Sequence, residues 1–110
     1  MKKAEVQQRV LQNGKPLAMD KFEWDENANA FSTSESELVI DFGWEINITF
    51  STGSYCTFKT GSGCTFNTDS DCTFNTSFCC IFDTASDCTF KTGSGCIFDT
   101  GPGCTFKTGS

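Results

Sequence analysis

Seven consecutive copies of one octapeptide decide the architecture of this chain. From Cys56 onward they read CTFKTGSG (56–63), CTFNTDSD (64–71), CTFNTSFC (72–79), CIFDTASD (80–87), CTFKTGSG (88–95), CIFDTGPG (96–103) and CTFKTGS (104–110). The period is eight residues, and no insertion interrupts it. A strict short period is typical of stacked repeats, because one such unit cannot bury its own apolar side chains.

Alternation within each copy predicts one short strand followed by one corner. Positions 1, 3 and 5 carry Cys, Phe and Thr and should face inward, whereas positions 2 and 4 carry Thr or Ile and then Lys, Asn or Asp. Positions 6 to 8, for example Gly61-Ser62-Gly63, are turn formers. Two Thr per copy, together with Gly, argue against helix.

Stepping back at the same period adds two degenerate copies, ITFSTGSY from Ile48 and IDFGWEIN from Ile40. On this phase the third position is always phenylalanine, which predicts a continuous core ladder. Its members are Phe42, Phe50, Phe58, Phe66, Phe74, Phe82, Phe90, Phe98 and Phe106.

Seven cysteines share the first, inward position that isoleucine fills in the degenerate copies. They are Cys56, Cys64, Cys72, Cys80, Cys88, Cys96 and Cys104. Since Ile takes the same place, we interpret them as small buried apolar residues. Disulfides are the first alternative, although thiols that point the same way from in-register strands have poor torsions. Metal binding is the second, but a spacing of eight without His or CxxC is not a zinc pattern.

Cys79 is the exception among the cysteines. It falls in a corner position beside Cys80, outside the inward pattern. An exposed corner thiol is available to oxidants and alkylating agents, so we predict that Cys79 is a reactive thiol.

The number of copies per coil stays open at this level. A 16-residue coil sorts the fourth positions by face, with Lys59, Asn75, Lys91 and Lys107 on one and Asn67, Asp83 and Asp99 on the other. That arrangement stacks like charges, which is unfavourable. A 24-residue coil would alternate them. A third arrangement is an intertwined trimer, in which neighbouring strands come from other chains; we favour the single-chain solenoid.

Residues 1–39 contain no cysteine and predict a small α+β cap or attachment segment. We expect a helix over residues 2–12, stopped by Asn13-Gly14, and two short strands around a turn within residues 20–34.

The repeat region, residues 40–110, is expected to begin beneath that cap and to have no closing element of its own. Trp44 should close the core under the cap. The last copy stops at Gly109-Ser110 without a terminal helix or charged strand, which predicts a longer repeat protein or end-on pairing.

Composition excludes several classes of function. Lys+Arg 8 against Asp+Glu 14 give a net charge of −6, which argues against nucleic acid as a ligand. There is no His, no GxSxG and no phosphate loop, so we expect neither an enzyme nor a cofactor. No apolar run is long enough to insert in a membrane, and no apolar segment follows Met1-Lys2-Lys3 as in a signal peptide.

Uninterrupted octapeptides of one strand and one corner resemble the repetitive stalks of tailed-phage fibres, cell-puncturing needles and other β-solenoid surface proteins. The resemblance covers residues 40–110. It implies a shaft of a virion or surface appendage that self-associates, as a homotrimer or end-on, and meets an anchoring protein through residues 1–39. Assembly without a signal peptide would then place it in a virion or on a cell surface, and otherwise in the cytoplasm.

The sequence therefore predicts an all-β octapeptide-repeat β-solenoid, or a trimeric β-helix, with a small α+β N-terminal cap. The expected function is structural and non-enzymatic, with a distal binding region presented by the shaft. The alternative is a binding module whose repeated faces contact glycan, protein or ice.

Overall fold

A computed structural model describes residues 1–43 and 45–109 of the chain. The N-terminal part contains α1 (Lys3–Gln8), β1 (Val10–Gln12), β2 (Lys15–Pro16), a 3-10 turn (Met19–Lys21), β3 (Glu23–Asp25), β4 (Ala30–Ser32) and β5 (Leu38–Asp41). The repeats supply β6 (Thr49–Ser51), β7 (Thr57–Lys59), β8 (Thr65–Thr68), β9 (Thr73–Asn75), β10 (Ile81–Thr84), β11 (Thr89–Thr92), β12 (Ile97–Asp99) and β13 (Thr105–Thr108).

Successive repeat strands alternate between two sheets, and the predicted β-solenoid is confirmed. Sheet A has the order β13-β11-β9-β7-β5-β1-β2, and sheet B has the order β12-β10-β8-β6-β4-β3. Parallel partners in the repeats are 16 residues apart, as in Phe58 opposite Phe74. Two octapeptides therefore make one coil, and the 24-residue alternative is wrong. All of these strand partners belong to the same chain.

The stacking of like charges in the 16-residue coil costs less free energy than the burial of its core gains. Exposed like charges one strand apart cost about 1 kcal/mol or less in water. Burial of one phenylalanine side chain stabilises by about 1.5–3 kcal/mol. Two octapeptides per coil place the rings of both sheets in contact, as at Phe58 and Phe66, whose centroids lie 5.1 Å apart. Packing of the core thus outweighs the surface repulsion.

Each corner turns through an eighth residue in the left-handed region. In the repeats these residues are Asn47, Tyr55, Gly63, Asp71, Cys79, Asp87, Gly95 and Gly103, with φ between 57° and 78°. From Asn47 to Asp87 the backbone N–H groups of these residues bond to the next coil, as Gly63 donates to the Phe78 carbonyl oxygen at 3.0 Å. Gly, Asn and Asp tolerate this conformation best, which explains why they predominate at the eighth position.

The degenerate copy from Ile48 follows the predicted phase, with Phe50 opposite Phe66, but the copy from Ile40 does not. Ile40, not Phe42, lies opposite Phe58, and Phe31 lies opposite Phe50. Phe42 occupies a fifth position instead, because its N–H donates to the Lys59 carbonyl oxygen as that of Thr60 donates to Asn75.

The physical reason for the shift is a longer corner. Leu38 takes the first position of its strand, and ten residues rather than eight separate it from Ile48. Parallel pairing begins before residue 40, the predicted start of the repeat region, because β4 already pairs in parallel with β6.

The N-terminal helix is also shorter than predicted. It ends at Gln8, and residues 10–12 form β1, which pairs antiparallel with both β2 and β5. Asn13 (φ 53°) and Gly14 (φ 79°) form the β1–β2 hairpin turn, not a helix C-cap. Asn-Gly is a signal for either structure, and pairing with β5 decides between them.

Antiparallel strands close the N-terminal edge of both sheets. In sheet A, β1 lies against β5, and in sheet B, β3 lies against β4. The β3–β4 hairpin confirms the two strands predicted within residues 20–34. The role predicted for Trp44 falls outside the described residues.

Candidate functional site: the core columns and the outward faces

The phenylalanine rings form two columns between the sheets. From Phe50 onward, rings in the same sheet stack nearly parallel, 4.9–5.1 Å apart with interplanar angles of 3–7°. Rings of opposite sheets meet edge to face. Phe74 thus touches Phe58 and Phe90 by stacking and Phe66 and Phe82 by their edges.

The ladder is buried through most of its length and opens at its last coil. The rings from Phe42 to Phe90 are at most 1% exposed. Phe98 is half-buried, and Phe106 is 46% exposed. The phenylalanines named in the sequence analysis thus all lie along the core, except that Phe42 is in a fifth rather than a third position.

The inward cysteines form two further columns. Cys56, Cys72, Cys88 and Cys104 belong to sheet A, and Cys64, Cys80 and Cys96 belong to sheet B. All are free thiols in the structure, and they are buried except for the half-buried Cys96 and Cys104.

These thiols also make hydrogen bonds to the corners, which sequence reasoning missed. The Cys72 thiol donates to the Gly53 carbonyl oxygen 3.6 Å away, and the Cys80 thiol donates to that of Gly61 at 3.5 Å. Isoleucine has no donor, so it could not satisfy such a carbonyl. The only sequence signal for these bonds is that Cys recurs directly after the turn-forming residues of each copy.

Thiol pairs within the columns shift each other's pKa. As donors to the ionised form, the Cys72 thiol lowers the pKa of Cys56 to about 7, and the Cys80 thiol lowers that of Cys64 to about 6. The same bonds, followed by burial, raise the pKa of Cys72 and Cys80. Burial also raises the pKa of Cys88. In each pair one thiol therefore loses its proton more readily than the other.

Six of the fifth-position threonines, from Thr52 to Thr92, are buried beside the corners, as their inward position predicts. The hydroxyl groups of five of them donate to the carbonyl oxygen of the following residue at 3.2–3.4 Å; these are Thr52, Thr60, Thr68, Thr84 and Thr92. The Thr76 hydroxyl, also buried, has no partner within the part of the chain that the structure describes.

Cys79 lies outside both columns. It is exposed at a left-handed corner, next to Phe78, which is 58% exposed. The exposure predicted for this thiol is thus observed, and its reactivity stays a prediction.

The outward faces of the two sheets differ in charge. We call the outer surface of sheet A the lysine face; its columns are Thr57, Thr73, Thr89 and Thr105, and Lys59, Asn75, Lys91 and Lys107. We call the outer surface of sheet B the aspartate face; its columns are Thr49, Thr65, Ile81 and Ile97, and Ser51, Asn67, Asp83 and Asp99. All of these residues are exposed except Thr65, which is half-buried.

No catalytic arrangement emerges from the described geometry. Asp83 and Asp99 lie side by side in one column, but on an open surface. Surface concavities of about 240–460 Å³ are lined by groups such as Arg9, Val39 and Asp41, and none of these concavities contains a cysteine. Within residues 1–43 and 45–109, no three His, Cys, Asp or Glu side chains are placed to hold a metal ion.

Comparisons of the chain with protein-family models, curated proteins and solved structures found no significant match. Among the described residues, no helix has the length and apolar character needed to cross a membrane.

Proposed function

We propose that this chain is a non-enzymatic shaft of a virion or surface appendage. The uninterrupted phenylalanine ladder is the observation that carries this proposal. The ladder keeps one cross-section from Phe50 to Phe106. Each further coil therefore lengthens the rod by about 4.7–4.9 Å and repeats the same core contacts. The described molecule measures 36 × 23 × 20 Å.

The contacts of the ladder favour a stiff rod. An internal ring such as that of Phe74 has four aromatic neighbours in two sheets. A bend would separate stacked rings on one side, and corner hydrogen bonds such as Gly63 to Phe78 would lengthen with them. Each aromatic pair is worth about 0.5–1.5 kcal/mol beyond area burial, so bending is opposed at every coil.

The proposal extends to partners and location. Residues 1–39 would attach the rod to an anchoring protein, and the half-open last coil, with Phe106 46% exposed, would meet a second copy end-on. A homotrimer is the other form of self-association. The proposal also places the rod in a virion or on a cell surface.

Lengthening the rod tests the proposal. One, two and four extra copies of residues 88–103 would be inserted after Gly103, and the maximum dimension measured by small-angle X-ray scattering. We expect an increase of about 4.7–4.9 Å for each inserted copy. A flexible or collapsed profile would contradict a shaft. Immunogold labelling of native particles with antibodies to residues 1–39 and 88–109 would then test attachment at the N-terminal end.

A second candidate is a binding module, favoured by the regular threonine column on the lysine face. A binding module acts through its surface, whereas a shaft acts through its length. Thermal hysteresis with ice shaping, or saturable binding on a glycan array, would support the module. Serine substitution of Thr57, Thr73, Thr89 and Thr105 should abolish such binding and leave the length of the rod unchanged.

A further inference from the structure

Like charges stack in register on both outward faces. Lys91 lies opposite Lys107 in neighbouring strands of sheet A, and Asp83 lies opposite Asp99 in sheet B. Like charges directly opposite each other destabilise a pair of strands. The ion pairs within residues 1–43 and 45–109 are Lys2–Glu26 and Lys21–Glu35, so none of these four stacked residues has a countercharge there.

The two faces match each other in spacing. Both sheets are parts of the same coil, so their strands repeat at the same interval of about 4.7–4.9 Å. On each face the two exposed columns lie about 6.6 Å apart, because their residues are two positions apart along a strand. A column of charges on one face can therefore stay in register with the opposite column over several coils.

The two faces also match in chemistry. On the aspartate face, Asp83 and Asp99 lie beside Ile81 and Ile97, which are 45% and 62% exposed. The lysine face offers long apolar stems that end in ammonium groups. A lysine stem can cover an exposed isoleucine while its ammonium group reaches a carboxylate in the next column.

We propose that a second copy of this chain docks its aspartate face against the lysine face. Lys91 and Lys107 of one copy meet the carboxylates of Asp83 and Asp99 of the other, and their stems cover Ile81 and Ile97. The contact joins different surfaces of two identical chains, so it leaves one free face on each copy and can repeat to form a row of parallel or antiparallel rods. It goes beyond the shaft role, because it does not depend on what the rod presents.

The contact is weak for a chain of this length. The whole molecule carries a net charge of −6, which makes two copies repel each other at long range. The matched charges lie on only three coils, so the buried area is below that of a stable dimer. Each further coil like residues 88–103 adds one lysine and one aspartate, so the association strengthens with rod length.

A charge-exchange experiment tests the proposal by sedimentation equilibrium in about 0.1 M salt, where the Debye length is about 10 Å. The variant K91E/K107E makes both faces acidic, and D83K/D99K makes both basic. Each variant alone should associate about tenfold more weakly than the original chain, and an equimolar mixture should regain association. In about 1 M salt, where the Debye length is about 3 Å, the association of the original chain and that of the mixture should both weaken.

Matched controls separate the faces from net charge. K91E/K107E changes the net charge from −6 to −10, as does K2E/K15E in the N-terminal part. D83K/D99K changes it from −6 to −2, as does D20K/D69K away from both faces. Circular dichroism and urea unfolding of each variant check that the fold is kept, which exposed positions should allow.

The result that supports the proposal is weakened association in the two face variants only, with recovery in their mixture. Association that persists unchanged in both face variants would mean end-on contact and would overturn it. So would an equal loss in the off-face controls, a mixture that stays monomeric, or an original chain that stays monomeric in both salts even with four extra copies of residues 88–103.

Discussion

The N-terminal part, residues 1–47, and the regular part, residues 48–109, build the same coil from different residues. The regular part fills its inward positions with Cys, Phe and Thr, whereas the earlier part uses Leu38, Ile40 and Phe42, all buried. The coil therefore requires inward volume and a left-handed eighth residue, and cysteine is only one way to supply the volume.

Identical aromatic residues in neighbouring coils add parallel ring stacking to the volume that they fill. Where Phe follows Phe in the regular part, the rings stack within 7° of parallel. At the junction, Phe31 and Phe50 lie 6.1 Å apart and are tilted by 54°. The earlier part closes both sheets with antiparallel strands, and an antiparallel strand does not continue a parallel stack. One region thus favours growth of the rod, and the other stops it.

Removing an internal ring should break the regular part with the largest effect. Phe74→Ala leaves a cavity among four neighbouring rings, so we expect a loss of about 3–5 kcal/mol in the free energy of unfolding. Urea denaturation followed by circular dichroism would measure it. Phe106→Ala, at a ring that is 46% exposed, should cost less than about 1 kcal/mol. Equal losses at the two positions would contradict the ladder as the source of stability.

The junction between the two parts should be sensitive to one methyl group. A Cβ on Gly53 would meet the backbone carbonyl oxygen of Glu35 at 2.8 Å and the Ser36 hydroxyl closer still. Backbone cannot swing aside, so Gly53→Ala should cost about 1–3 kcal/mol in urea unfolding. Asp69→Ala, in the equivalent position one coil later, keeps a Cβ that is already accommodated and should change stability by less than about 0.5 kcal/mol.

Alkaline pH should destabilise the regular part, where all the thiols lie. Cys72, Cys80 and Cys88 have a raised pKa in the folded chain, so above about 8.5, the pKa of an unfolded thiol, only the unfolded chain releases these protons. Stability should then fall by up to about 1.4 kcal/mol per pH unit for each thiol.

Below about pH 8.5 the free energy of unfolding should instead rise with pH. Cys56 and Cys64, with pKa values lowered to about 7 and about 6, contribute stability that is fully present above about pH 8.5 and is lost as pH falls through 7 to 6. Urea midpoints from pH 6 to 9.5 should thus show a maximum near pH 8.5. Cys88→Val should flatten only the alkaline side; an unchanged alkaline slope in that variant would refute the assignment.

The smallest effect is expected at the one cysteine outside the columns. Cys79→Ser should change the unfolding free energy by less than about 0.5 kcal/mol, because the side chain is exposed. In the native chain one thiol should be alkylated much faster than the rest, and that fast label should disappear in the variant. Under denaturing, non-reducing conditions mass spectrometry should find eight labels on the original chain. Fewer would show that disulfides form in the columns.

Much of the regular part could be predicted from period and alternation. The inward positions and the corners follow from side-chain chemistry that repeats every eight residues. The sorting of Lys59 and Asp83 by face favoured a 16-residue coil, whereas the stacking of like charges favoured a 24-residue coil. The phase of the copy from Ile40 was harder to predict. Ile40 and Phe42 are both apolar and lie two positions apart on the same face of the strand, so either could take the third position. Only strand pairing shows that Phe42 takes a fifth position.

The candidate sites divide in the same way. Exposure of Cys79 follows from its place in a corner, whereas the donation of the Cys72 thiol to the Gly53 carbonyl depends on a residue 19 positions away. Asn13-Gly14 likewise suits a helix end or a hairpin, and the choice depends on β5, which is distant in sequence.

The sequence by itself determined which side chains face inward and where the chain turns, because alternation along a strand and tolerance of positive φ are local properties. The tertiary structure decided how many turns make a coil, since that depends on whether rings of two sheets meet across the core. It also decided which charges stack, and so made one face of the rod basic and the other acidic.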